Sequence, residues 1–195
     1  MGSRTLKLTM RKTPYVNLTL AGLILLMTCG CSPVFSKRPV EQKPAKIVAR
    51  DWEGNWVASD GGSLKLKVVD ADKGVLKLFW LDDDEKGNPA MKTADVELRE
   101  SGEWLFASTK AEDKGQTRGF AWGRIKNEDR QIILWLPDDK IFKRLVKDGV
   151  FPGKLDGDDL ILDELKPQHL KIVTSGERGV LFEWDKPAVF VKVGN

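Results

Sequence analysis

At 195 residues, 41% hydrophobic and 31% charged, the chain has the size of one ordinary domain and a composition that excludes both a disordered chain and a multi-span membrane protein. The formal charge of +3 is local: Arg4, Lys7, Arg11 and Lys12 stand in the first thirty residues, which hold no Asp or Glu, and the remainder is close to neutral. Such a remainder lacks the concentrated Lys and Arg that displace counterions from phosphates, so nucleic acid is not an expected partner.

Residues 1–17 are basic and polar, and an uncharged apolar run from Leu18 to Met27 follows, broken by Thr28, Cys29, Gly30 and Cys31. This is the layout of a secretory signal. The uncharged stretch from Tyr15 to Gly30 falls short of the roughly 20 apolar residues of a spanning helix. Both cysteines of the chain lie here, so no disulfide framework supports the body. The stretch Leu26-Met27-Thr28-Cys29-Gly30-Cys31-Ser32 resembles the lipobox of bacterial lipoproteins. In that family a cysteine thiol carries the lipid, and cleavage just before it makes the cysteine the new N-terminus. Gly30 fits the small residue before the modified cysteine and favours Cys31; Cys29, with Leu26 three residues before it, is the second candidate. The resemblance implies a signal peptide over 1–30, acylation of the palmitate type at Cys31, and a body held at a membrane of the bacterial cell envelope. Ser32 in place of Asp after the anchor implies the outer membrane, facing the periplasm.

From Ser32 to Lys46, Pro33, Pro39 and Pro44 sit among Ser, Lys, Arg and Gln. Residues 31–46 therefore read as a lipidated N-terminus and flexible linker extended by its prolines, and 47–195 as a single domain. Within that domain apolar residues return with period two, as in Leu64-Lys65-Leu66-Lys67-Val68 and Ala94-Asp95-Val96-Glu97-Leu98, the pattern of half-buried strands. Gly- and Asp-rich turn clusters separate the runs at spacings too short for crossover helices, so neighbouring strands are antiparallel and joined by hairpins. The predicted strands are 54–59, 63–70, 74–81, 91–100, 103–110, 116–126 and 130–136, ending before Pro137. Asp138 caps a short amphipathic helix with Ile141, Phe142, Leu145 and Val146 on one stripe and Gly149 as its terminator. A hairpin around Asp156-Gly157-Asp158, a helical turn opened by Pro167, and two closing strands, Val180 to Trp184 and Ala188 to Val193, complete the chain. The fold class is mainly β: an up-and-down antiparallel β-barrel or strongly curved sheet with one short amphipathic helix.

The opening Gly54-Asn55-Trp56, followed by Asp60-Gly61-Gly62-Ser63-Leu64-Lys65-Leu66, resembles the first strand of the lipocalin, fatty-acid-binding and avidin barrels. In that group the Trp plugs one end of the barrel beneath a ligand cavity, and an arginine of the last strand stacks on it; this chain offers only Lys192. The resemblance implies a lipocalin-like cup for a hydrophobic small molecule.

Seven tryptophans lie in the presumed domain, a usage that suits a grip on an apolar or ring-shaped ligand, with core packing as the alternative for each. Trp56, Trp80, Phe106, Trp122 and Trp135 are the candidate ligand-binding residues. Period two puts Phe120 and Trp122 on one face and Gly119, Ala121 and Gly123 on the other, where small residues mark either room in the barrel or close sheet packing. Asp82 to Asn88 fails the EF-hand spacing, with Lys86 at the fifth ligand position and Thr93 at the closing one. His169, the sole histidine, reads as a turn residue, with no second histidine to share a metal and no nucleophile motif to activate. No catalytic residue, metal ligand or cofactor is assigned. The expected function is therefore binding rather than catalysis: an envelope lipoprotein, membrane-anchored through its lipid, whose barrel holds a lipid or other small hydrophobic ligand. The alternative is a non-enzymatic protein-interaction lipoprotein, an assembly accessory or an inhibitor of an envelope enzyme.

Overall fold

The computed structural model describes residues 33–41, 43–59, 61–83, 86–113, 116–175 and 181–194; the lipobox-like stretch with Cys29 and Cys31 lies outside them. In chain order the elements are β1 (Val34–Ser36), α1 (Ala49–Trp52), β2 (Gly54–Ala58), β3 (Ser63–Asp70), β4 (Val75–Asp83), β5 (Pro89–Ser101), β6 (Trp104–Asp113), β7 (Gln116–Glu128), β8 (Gln131–Trp135), α2 (Asp139–Lys147), β9 (Gly153–Asp156), β10 (Asp159–Leu162), α3 (Pro167–Val173) and β11 (Ala188–Val193).

Strands β2 to β8 follow one another as an antiparallel meander, and β11 closes the ring by pairing with β8 on one side and β2 on the other. The result is a closed eight-stranded antiparallel barrel. The alternating residues expected to face inward do so: Trp56, Leu66, Leu76, Leu78, Trp80, Val96, Leu98, Ile132 and Leu134 form one buried cluster. An eight-stranded barrel is just wide enough for side chains to fill, and these large residues fill this one. Closure also removes the unpaired edges that an open sheet would expose.

Strand β7 is longer than its partner β8. It pairs with β8 only over Arg124 to Glu128, and its earlier half takes β1 at Phe35 and Ser36 instead. Strand β1 runs parallel to β10, which forms a hairpin with β9, so a second sheet branches from the barrel wall. Residues 34–45, expected to be a tether, thus belong to the folded body. Val34, Phe35, Ser36, Val40 and Ala45 are all buried, and Ala45 N donates to Leu98 O at 3.1 Å. The prolines set the bends of a packed segment rather than the stiffness of a free one.

The chain between β8 and β11 covers the outer face of this region. The Asp138 carboxylate accepts from Lys140 N and Ile141 N at 3.0 and 3.1 Å, the cap that the sequence predicted for α2. Phe142 is fully buried, while Ile141, Leu145 and Val146 pack partly buried beside it. In α3, His169 is buried, not exposed: its Nδ1 accepts from Lys166 N at 3.0 Å and its ring lies 5.7 Å from Phe151. The predicted closing strand Val180 to Trp184 is not a strand over its described residues. A single bridge joins Phe182 to Pro137, because Leu181 and Phe182 turn their side chains onto the outer core instead of extending along a partner.

The small-residue face of β7 marks close packing. A Cβ at Gly123 would stand 2.6 Å from Trp135 O, and one at Gly119, whose φ is +126°, would stand 2.6 Å from Ser36 O. Both glycines let a neighbouring backbone approach; neither opens a cavity.

Candidate functional site

The barrel wall separates the five residues expected around one ligand. Adjacent residues of a strand face opposite sides, and Ala107 and Ile125 join the interior cluster while Trp104, Phe106 and Trp122 join an exterior one with Phe142, Phe151, Leu160, Leu162, Val173 and Phe182. Trp56 and Trp80 are therefore inside, Phe106 and Trp122 outside, and Trp135 lies at the edge of the outer cluster.

Trp56 belongs to the interior cluster beside α1. It is fully buried, and its Nε1 donates to Trp52 O at 2.9 Å, which fixes the indole against α1. Lys192 pairs with Trp56 across β11 and β2, and its Nζ stands 5.5 Å from the indole centroid while donating to Arg50 O at 2.6 Å. A cation of the last strand thus covers the indole, with lysine in place of arginine. Gly54 permits this approach, since a Cβ there would meet Lys192 Cε at 3.0 Å. Trp56 packs as a buried core residue with its polar atom satisfied.

Trp80 borders an open apolar cleft of about 470 Å³ on the wall formed by β2, β3, β4 and the start of β5. Phe79, Leu81 and Met91 line it, with Lys65 and Lys67 at its side. Leu81 and Met91 are cross-strand partners, each 64% exposed, and neither lysine meets an acid among the described residues. Trp80 Nε1 is buried without a hydrogen-bond partner among the described residues. The sequence signal was the run Leu78-Phe79-Trp80-Leu81, which breaks period two and makes both faces of β4 apolar. An apolar concavity of this size with a few cationic groups at its edge has the make-up of a small-molecule site.

On the outer wall Phe106 and Trp122 pack structurally. Trp122 meets Phe142 and Phe182 edge-on at 5.7 and 5.9 Å, both at 88°, and each fully buried aromatic there stabilises the docking of α2 by about 1.5–3 kcal/mol. Beside them is an arrangement that sequence reasoning missed. The Arg124 guanidinium lies 3.7 Å from the Trp104 centroid, 4.9 Å from Trp184 and 5.6 Å from Trp135. Trp135 and Trp184 lie 5.3 Å apart and tilted by 54°, and Trp104 meets Trp184 at 6.0 Å and 77°. Cation–π contacts of this kind are worth up to about 2 kcal/mol when desolvated. Burial pushes the Arg124 guanidinium below its usual pKa, because losing water disfavours the charged form. Its signal in the sequence was weak: Trp104, Trp135 and Trp184 are far apart along the chain, and only strand pairing and the 181–184 turn unite them.

Charged groups elsewhere serve the frame. Arg118 and Asp159 form an ion pair at 2.8 Å that ties β7 to β10. Burial raises the Asp159 pKa above its ordinary value, with Arg118 opposing the rise. No group of three or more His, Cys, Asp or Glu with metal-holding geometry occurs among the described residues. Compared with known protein families, curated proteins and solved structures, the chain matches no family model, no curated protein and no solved structure.

Proposed function

We propose that this protein is a lipid-anchored lipoprotein of the bacterial envelope that binds an amphiphile with an apolar body and an anionic head on the outer wall of a lipocalin-like barrel. The observation that carries the reading is the cleft beside Trp80: Leu81 and Met91 stand exposed at 64% each, and Lys65 and Lys67 flank the same cleft without acid partners among the described residues. Water-exposed apolar side chains next to unpaired cations favour a ligand that covers the first and neutralises the second. The large buried side chains of the interior cluster favour a site on the wall over the cup implied by the family resemblance. The Gly54-Asn55-Trp56 opening with Lys192 over the indole supports the lipocalin-like reading. Leu26 to Ser32 support the anchor at Cys31, with Ser32 favouring the outer membrane and a body that faces the periplasm. The protein acts by binding and holds no cofactor.

Tryptophan fluorescence during titration with a long-chain fatty acid tests the site. A saturable change is expected, reduced in Trp80→Phe and lost in Leu81→Asp; a folded barrel with no saturable change refutes it. Metabolic labelling with radioactive palmitate tests the anchor, with label expected in the wild type and absent from Cys31→Ala.

A further inference from the structure

We infer that Arg124, boxed by Trp104, Trp135 and Trp184, is a second binding site, one that takes a carboxylate or phosphate group attached to an apolar or ring-bearing body. The inference does not depend on the cleft beside Trp80. Strand β7, which carries Arg124, is four strands from β3 in either direction around the ring, so the two places lie on opposite sides of the barrel.

Three described arginines are half-buried: Arg99, Arg118 and Arg124. Arg99 pairs with Glu97 and Arg118 with Asp159. Arg124 makes no hydrogen bond or ion pair among the described residues. A guanidinium has five in-plane donors and no acceptor capacity. One that is stacked on an indole at 3.7 Å keeps its flat face occupied and its edge available for the two parallel bonds that a carboxylate or phosphate accepts. The fork is also rigid. Arg124 sits in strand register with Phe106 on one side and Trp135 on the other, Trp104 is buried two residues before Phe106, and Trp184 meets Phe182 at 5.6 Å. Holding the donors in place beforehand removes much of the ordering cost of binding. Trp135 and Trp184 are themselves only half-buried, so the rim beside the fork is apolar and ring-shaped. That favours an oxyanion with a hydrophobic body over a fully hydrated ion.

The test uses the full chain in non-ionic detergent at low salt, with three probes titrated separately: inorganic phosphate, benzoate, and micelles doped with phosphatidic acid. Indole N–H chemical shifts and tryptophan fluorescence report occupancy. At least one probe is expected to bind saturably, with affinity at least about tenfold weaker in Arg124→Gln, the loss expected for one charge-assisted bidentate pair, and partly restored in Arg124→Lys. Response to phosphate identifies a free ion as sufficient, and response to the doped micelles alone identifies a lipid head group; either supports the site. The titrations are made in the Leu81→Asp background, which silences the opposite cleft, and there Lys126→Gln, which removes an exposed cation of the same strand, should leave the response unchanged. The inference is overturned if, in that background, Arg124→Gln binds as tightly as the chain that keeps Arg124, if Lys126→Gln abolishes the response, or if the folded protein answers none of the three probes.

Discussion

Two tryptophans offer a matched comparison. Trp56 and Trp122 are 0% and 1% exposed, one in the barrel interior and the other packed under α2. Replacing either by phenylalanine removes the same atoms from a closed site, so the apolar loss is similar in both and largely cancels in the difference. Their polar atoms differ. Trp56 Nε1 donates to Trp52 O, and its removal leaves a buried carbonyl without a donor, at a cost of about 1–3 kcal/mol. Trp122 Nε1 is buried with no partner among the described residues, so its removal relieves a penalty of about the same size. Trp56→Phe should therefore destabilise the protein by at least about 2 kcal/mol more than Trp122→Phe, the sum of the two smaller values. Urea unfolding followed by circular dichroism measures both, provided the transitions stay two-state with unchanged slope. Equal losses, or a larger one for Trp122→Phe, would mean that the indole N–H of Trp122 meets an acceptor and that the argument is wrong.

Two further perturbations address the frame. Gly123→Ala would place a Cβ 2.6 Å from Trp135 O and 2.9 Å from Leu134 Cδ1; since strand pairing fixes that oxygen, overpacking should cost about 1–3 kcal/mol, read as a fall in melting temperature, and an unchanged melt would contradict the close approach of β7 and β8. Asp159 has a folded pKa raised first by burial, so its contribution to stability is greatest below the unfolded carboxyl range and declines as pH rises through the raised folded value. The stability of the wild type relative to Asp159→Asn should then fall as pH rises from below the ordinary carboxyl range and through it, in urea midpoints measured across that rise; a difference that grows with pH would reverse the sign of the argument.

The barrel was legible because its physics is local. Period-two stretches such as Leu64 to Val68, bounded by Gly and Asp turns, place β2 to β8 within a few residues of where they stand, and Asp138 gave the start of α2. Strand β1 was not legible. Three residues in a proline-rich segment carry no periodicity, and what makes Val34-Phe35-Ser36 a strand is a partner more than 120 residues away. The inward or outward direction of the tryptophans was equally hidden. Period two assumes one wet face, yet β6 opens Trp104-Leu105-Phe106-Ala107 and β8 reads Ile132-Ile133-Leu134-Trp135, continuous apolar runs of the kind found where both faces are buried. Those runs were the available sign of a second layer. Lys192 counted as a departure from the barrel family by residue type, while its register opposite Trp56 depends on closure of the ring, which no local pattern specifies.

The segment between β8 and β11 explains why the tryptophans divide. A meander that closed directly from its seventh strand to its eighth would leave the outer faces of β6, β7 and β8 in water, and Phe106, Trp122 and Trp135 would be unfavourable there. The intervening chain supplies α2 and α3 as cover and β9 and β10 as an extension of the sheet beyond β1, which itself pairs with the earlier half of β7. Once that cover exists, large aromatics on the outer wall stabilise the fold instead of exposing it, and the cover ends where the turn at 181–184 brings Trp184 against Trp135 and Arg124. The interior, meanwhile, needs only enough volume to fill an eight-stranded ring, which Trp56, Trp80 and the aliphatic residues provide. Indole content that looked like a single ligand cage is thus divided among the barrel interior, an outer core and the two proposed surface sites. At both proposed sites apolar side chains still meet water beside cations that have no acid partner among the described residues.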